Sequence, residues 1–185
     1  GRDITGAAPH AICRLGMGRS FQRANIFPKL TVFENVQAAL IAHHRASTNL
    51  WSDSRHIFRD ETNQLLDSLG LLPQAEVTSG TLSYGNQKQL ELGIALAASP
   101  RILLLDEPTA GMSAIETADA IRLLERIGTR RELTLLFTEH DMEVVFAIAH
   151  RIAVLHQGRI IAVGRPEDVR ADPEVRRVYL GEHHA

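Results

Sequence analysis

Two acids stand side by side at the end of an apolar run in "RILLLDEPTAG", Arg101 to Gly111. The run Ile102 to Leu105 has no polar residue, the pattern of a central parallel strand buried on both faces. Asp106 and Glu107 follow at its carboxyl end, the edge beyond which ligands sit in such sheets. Carboxylates placed there suit holding a metal ion and activating a water beside a nucleotide phosphate; a solvated acidic turn is the alternative that the pair alone leaves open. His140, in "TLLFTEHD", also falls just past an apolar run. An imidazole at that edge can hydrogen-bond a terminal phosphate oxygen or an attacking water. The third candidate is "LSYGNQKQLELGIALAASP", Leu82 to Pro100, where Ser83, Tyr84, Gly85 and Asn86 form a turn that opens a helical pattern. Free backbone amides and a hydroxyl at a helix N-terminus make an anion site.

The elements that must hold these groups follow from periodicity and caps. A short helix is expected from Pro9 to Leu15, with proline at a first helical position, and a strand around "MGRSFQ". From Thr31, "TVFENVQAALIAHH" places Val32, Val36, Ala39 and Leu40 on one helical face, and "NQLLDSLGLLP" ends a further helix near Gly70. Residues 31 to 80 therefore read as a helical unit. Apolar strands then alternate with amphipathic helices: "ILLL" leads to a helix from Ser113, and "LTLLFT" to a helix from Asp141. "RIAVLHQGRIIAVG" reads as two strands joined at Gln157-Gly158. Ser113 and Glu116 have capping-box spacing. Strand-helix alternation indicates an α/β fold with a parallel sheet covered by helices.

At 185 residues the chain suits one domain with a real core. With 44% hydrophobic and 23% charged residues the composition is that of an ordinary globular chain, and the formal charge of -2 gives no electrostatic reason to expect nucleic acid. The single cysteine, Cys13, has no internal disulfide partner. No run approaches the roughly 18 apolar residues of a membrane span, and "GRDITGAAPH" lacks the pattern of a signal peptide. His43, His44, His183 and His184 show no ligand spacing with cysteines or acids and read as surface residues.

Taken together these stretches resemble the ATP-binding-cassette ATPases. "LSYGNQ" is similar to their signature sequence, "ILLLDEP" to their Walker B strand and catalytic glutamate, "AGMS" to the D-loop, and "TEHD" to the switch-histidine loop. "RSFQ", with Gln22, resembles the Q-loop that opens the helical subdomain. The motifs stand in the family's order from Arg19 to Asp141. "IFPKLTVFENV", "DEPTAGMS" and "HQGRIIAVGRPEDVRADPEVRRVYLGE" are most similar to the ATPase subunits of branched-chain amino-acid importers, with relatives for urea and short amides also similar.

The resemblance implies an ABC-type P-loop NTPase fold, a RecA-like parallel sheet core with an inserted helical subdomain. It divides the chain into residues 1 to 26 (core with Q-loop), 27 to 82 (helical subdomain) and 83 to 185 (signature helix, Walker B, D-loop, switch histidine and C-terminal strands). It implies ATP and Mg2+, with Asp106 holding the metal through water, Glu107 as general base, Gln22 meeting metal and attacking water, and His140 reaching the γ-phosphate. Ser83 and the Gly85 amide, in the signature with Tyr84 and Asn86, would contact the ATP of a second ATPase subunit. The other implied partners are transmembrane permease subunits and, indirectly, a solute-binding protein, at the cytoplasmic face of the membrane. Tyr84 replaces the first signature glycine, Asn86 stands where glutamine is commonest, and Gln89 and Ile94 occupy positions that often carry arginine.

A phosphate-binding loop needs G-x-x-x-x-G-K-[ST], whose amides wrap the phosphates while its lysine neutralises them. The chain has two lysines, Lys29 in "FPKL" and Lys88 in "NQKQ", and neither has that spacing. In the resembled family the loop precedes the Q-loop, so the expectation is an N-terminally truncated chain without the first strands and the loop. Two functions follow as expectations: a transport-coupled ATPase whose 185 residues alone are inactive, or a nucleotide-independent module that docks to a membrane subunit or partner ATPase.

Overall fold

The computed structural model describes residues 3–20, 25–44, 57–130 and 132–180, and the backbone separates into two compact units, Gly1–Glu139 and His140–Ala185. In the first unit, β1 (Met17–Arg19), β2 (Ile102–Asp106) and β3 (Thr134–Thr138) form a parallel sheet in the order β1-β2-β3. Gly18 pairs with Leu103, and Asp106 with Thr138. A Cβ on Gly18 would lie 3.0 Å from Leu103 Cδ1 and 3.4 Å from the Ala95 carbonyl, so only glycine fits comfortably where β1 passes under the helix behind it.

That helix is α4 (Tyr84–Leu96); α5 (Ala114–Arg130) lies on the same side of the sheet. The expected burial of β2 on both faces is not what the structure shows. Leu103 and Leu105 are 0% and 4% exposed, whereas Ile102 is 36% exposed and Leu104 half-buried. Leu105 faces Leu92, Ala120, Leu123 and Leu124 from α4 and α5, so the helices cover one face of the strand and burial alternates with period two. On β3, Leu136 is 63% exposed, and among the described residues the outer edge of this strand has no strand partner.

The helical segment contains α2 (Val32–His43) and α3 (Arg59–Leu69), as the 3.6-residue pattern predicts. Thr31 and Glu34 make a capping box at the start of α2, and Gly70 closes α3 with φ +76°. Helix α2 packs against α3 and α4, and Val32, Val36 and Leu40 of α2, Leu65, Leu66 and Leu69 of α3 and Leu90 and Leu96 of α4 are all essentially buried. Each such side chain contributes roughly 1.5–3 kcal/mol. A Cβ on Gly93 would lie 2.6 Å from Leu69 Cδ1, so α3 and α4 approach through a glycine. Buried Asn35 ties the loop ahead of α2 to the approach of α4: its amide bonds the Phe27 N–H and carbonyl, the Thr31 carbonyl and Ser79 Oγ. Ser79 Oγ in turn donates to the Phe27 carbonyl.

Of the elements in the first unit, α1 spans Pro9–Arg14, ending one residue before the expected Leu15. The second unit starts with α6 (Met142–Ile148), capped by Asp141, whose Oδ1 accepts from the Glu143 and Val144 N–H groups. Strands β4 (Ile152–His156) and β5 (Arg159–Gly164) form an antiparallel hairpin joined, as expected, at Gln157 and Gly158, whose φ values of 47° and 77° make the tight turn. Helices α7 (Pro166–Ala171) and α8 (Pro173–Val175) follow and bury Val169 and Val175.

Candidate nucleotide site

Asp106 is the last residue of β2, and its Oδ1 accepts a hydrogen bond of 2.7 Å from Thr138 Oγ1, its partner in register on β3. Glu107 leaves the strand with φ +47°, an uncommon conformation for a residue with a Cβ, and its N–H still bonds the Thr138 carbonyl at 3.0 Å. This kink stops the strand and turns the chain across the carboxyl edge of the sheet. The next turn is pinned by Glu139: its Oε1 accepts from the Thr109 N–H at 3.0 Å and from Thr109 Oγ1 at 2.6 Å. Its Oε2 is buried without a hydrogen-bond partner among the described residues. Two carboxylates therefore sit at the carboxyl edge of a parallel sheet on a backbone fixed by two neighbouring side chains. Such a pair can bind a hard cation and take a proton from water.

A second constellation lies at the N-terminus of α4. Ser83 is its N-cap, with Oγ accepting from the Asn86 N–H at 3.3 Å, and Tyr84 packs against Gly111, where a Cβ would lie 3.3 Å from Tyr84 Cε1. Asn86 Nδ2 donates to Gln74 Oε1. The amides expected to be free here are engaged: the Gly85 N–H donates to Glu116 Oε1 at 3.2 Å. Glu116 is also the capping-box acid of α5, its Oε2 accepting from Ser113 N–H and Oγ at 3.0 and 2.9 Å. Those bonds from Ser113, together with the Gly85 N–H and the Ser83 hydroxyl, hold its carboxyl below the usual carboxylate range.

The structure thus brings Asp106 and Glu107 together with Thr109, Thr138 and Glu139, and the Ser83 to Asn86 turn together with Gly111, Ser113 and Glu116. His140 is exposed and opens the second unit, directly after Glu139. Gln22, expected to meet metal and water, lies outside the described residues, as do His183 and His184. Thr138, Glu139 and Thr109 were not singled out from sequence; the signal available was their position beside the acids in "DEPT" and "FTEH". No described helix is long and apolar enough to cross a membrane.

A parallel α/β sheet bearing acids at its carboxyl edge, with a serine-capped helix leading into it, defines a nucleotide-handling domain of the ATP-binding-cassette type, and solved structures agree. The crystal structure of the ADP conformation of an ATP-binding cassette of an ABC transporter superposes with TM-score 0.80 at 27% identity, covering 98% of this chain and 74% of that one. The ABC transporter family profile matches residues 1–110, and that of the branched-chain amino acid ATP-binding cassette transporter matches residues 159–185. The high-affinity branched-chain amino acid transport ATP-binding protein LivG of Salmonella typhimurium is 36% identical over 190 residues, 98% of this chain and 74% of its own length. The lipopolysaccharide export system ATP-binding protein LptB of Escherichia coli is 34% identical over 180 residues, 97% of this chain and 71% of its own length. The chain belongs to the ABC transporter family, as an ATP-binding subunit of the ATPase type.

Proposed function

We propose that this chain belongs to the ATP-hydrolysing subunit of an importer, with branched-chain amino acids as cargo. The observation that carries the catalytic half of this reading is the Asp106-Glu107 pair, held at the carboxyl edge of β2 by Thr138. The importer half is supported by the C-terminal match to the branched-chain amino acid family and by the likeness to LivG, against which the likeness to an export protein is the competing direction.

In this reading Glu107, whose backbone turns left-handed just past the end of β2, takes the proton of the attacking water. Asp106 suits Mg2+, because a hard carboxylate oxygen ordered by Thr138 matches an ion that keeps several waters and accepts one or two carboxylates. When bound, Mg2+ neutralises phosphate charge. Gln22 orients the water and His140 hydrogen-bonds the terminal phosphate. Ser83 and Gly85, with Tyr84 and Asn86, receive the nucleotide of a second ATPase subunit. Residues 1 to 26 and 83 to 185 serve catalysis; residues 27 to 82 form the subdomain that docks on the permease at the cytoplasmic face, with Phe27, 59% exposed, as a contact. Cross-linking from Phe27 that captures no permease subunit in an assembled transporter counts against that docking site.

The decisive experiment is Glu107→Gln in the complete transporter. The amide keeps shape and hydrogen bonding yet accepts no proton, so ATP still binds and turnover falls by about 10²–10⁴-fold. Turnover within a factor of about three of wild type removes Glu107 from the mechanism.

A second reading makes the chain a nucleotide-independent docking module, and an assembled transporter whose turnover is indifferent to Glu107→Gln would favour it.

A further inference from the structure

The N-terminus of α4 already holds an anion, and that anion belongs to this chain. Glu116 Oε1 accepts the Gly85 N–H at 3.2 Å, while Oε2 stays on Ser113. The approach is so close that a Cβ on Gly85 would fall 2.7 Å from Oε1 and 3.0 Å from Cδ, so the glycine leaves the room the carboxylate occupies. The neighbouring Asn86 N–H is taken by Ser83 Oγ. A phosphate arriving at this turn would need the Gly85 N–H and would meet a fixed negative charge beside it. One N–H gives a strong hydrogen bond to one acceptor, and like charges at this separation repel.

We propose that Glu116 is a latch on the signature turn: its carboxylate occupies the place of the incoming nucleotide phosphate on the Gly85 amide, and nucleotide binding must displace it. This rests on the reading of Ser83 to Asn86 as the surface that receives the partner subunit's nucleotide. The latch has a natural hinge. Release of Oε1 leaves Oε2 on Ser113, so the capping box of α5 survives while the signature amide is exposed. Tyr84, packed on Gly111, keeps the signature turn and the loop before α5 side by side, so opening the latch moves one side chain and not two helices. The consequence is a threshold: nucleotide engages the signature only when its own contacts outweigh an intramolecular, charge-assisted one.

The test uses the assembled transporter, with ATPase rate measured against ATP concentration. Glu116→Gln removes the charge and keeps an acceptor for the cap; Glu116→Asp keeps the charge but withdraws it from Gly85 by one methylene. Both are expected to lower KM for ATP by about three- to tenfold, with kcat moving by less than KM, the size expected for losing one charge-assisted contact at a helix N-terminus. A purely structural clamp would give the reverse, a raised KM and a lower kcat. KM unchanged or raised in Glu116→Gln overturns the latch; if that variant does not fold, Glu116→Asp decides by the same criterion. Ser83→Arg, measured alongside, tests the underlying reading separately. If it abolishes turnover while the Glu116 variants leave KM where it was, the latch alone fails. If it leaves turnover at the wild-type rate, the signature reading itself fails and takes the latch with it.

Discussion

Glu139 grips Thr109 twice, through the backbone N–H and through the hydroxyl, from the segment that follows the neighbouring strand. Thr109 is buried and stands one proline beyond Glu107, so this grip fixes the turn on which the proposed general base is carried. Asp106 is held in the same way by Thr138. Both acids of "DEP" therefore owe their placement to β3 and the residues just after it, which makes the end of β3 a frame for the site.

Glu139→Ala removes two charge-assisted hydrogen bonds to Thr109 and also a buried, unpartnered oxygen. The first effect outweighs the second, and a net loss of about 1–3 kcal/mol in stability is expected. Turnover should fall more than ATP affinity, because the turn carrying Glu107 loosens while the groups that meet the nucleotide remain. Equal losses in kcat and in affinity would show that Glu139 does not act through Glu107.

Lys88 and Glu91 form an ion pair at 3.6 Å inside α4, with side chains only 6% and 5% exposed. Lys88→Met leaves the Glu91 carboxylate buried without that ammonium, and a loss of about 3–5 kcal/mol is expected from chemical denaturation. The double variant Lys88→Met with Glu91→Leu should recover most of it, since apolar residues of similar volume replace the pair. A double variant as unstable as the single one would show that the pair holds α4 in place by more than its own charge balance.

The 185-residue chain by itself is expected to bind Mg-ATP weakly and to self-associate. Its two lysines are Lys29, exposed in the loop before α2, and Lys88, paired with Glu91 within α4, and neither has phosphate-loop spacing. Self-association follows from β3, whose outer edge has no partner strand among the described residues and whose Leu136 is 63% exposed. Calorimetry and sedimentation check both points. A low-micromolar dissociation constant with turnover that Glu107→Gln eliminates, or a clean monomer at high concentration, would contradict the expectation.

What the sequence determined by itself is the set of elements and the edge at which chemistry is offered. Apolar runs, the 3.6-residue periodicity of α2, the capping serine and aspartate of α4 and α6, and the Gln157-Gly158 turn are local signals, each decided within a few residues. They also placed Asp106 and Glu107 at a strand's end, because a strand's polarity is written in its own order. What only the tertiary structure decided is how those groups are held. Thr138 reaches Asp106 from 32 residues away, Glu139 reaches Thr109 from 30, and Glu116 reaches Gly85 from 31. Side chains so distant in sequence meet only through strand register and helix packing, which fix spacing in three dimensions that no local pattern encodes. The one-sided burial of β2 has the same origin: an unbroken apolar run says that a strand is apolar, whereas which of its faces is covered depends on where α4 and α5 come to rest.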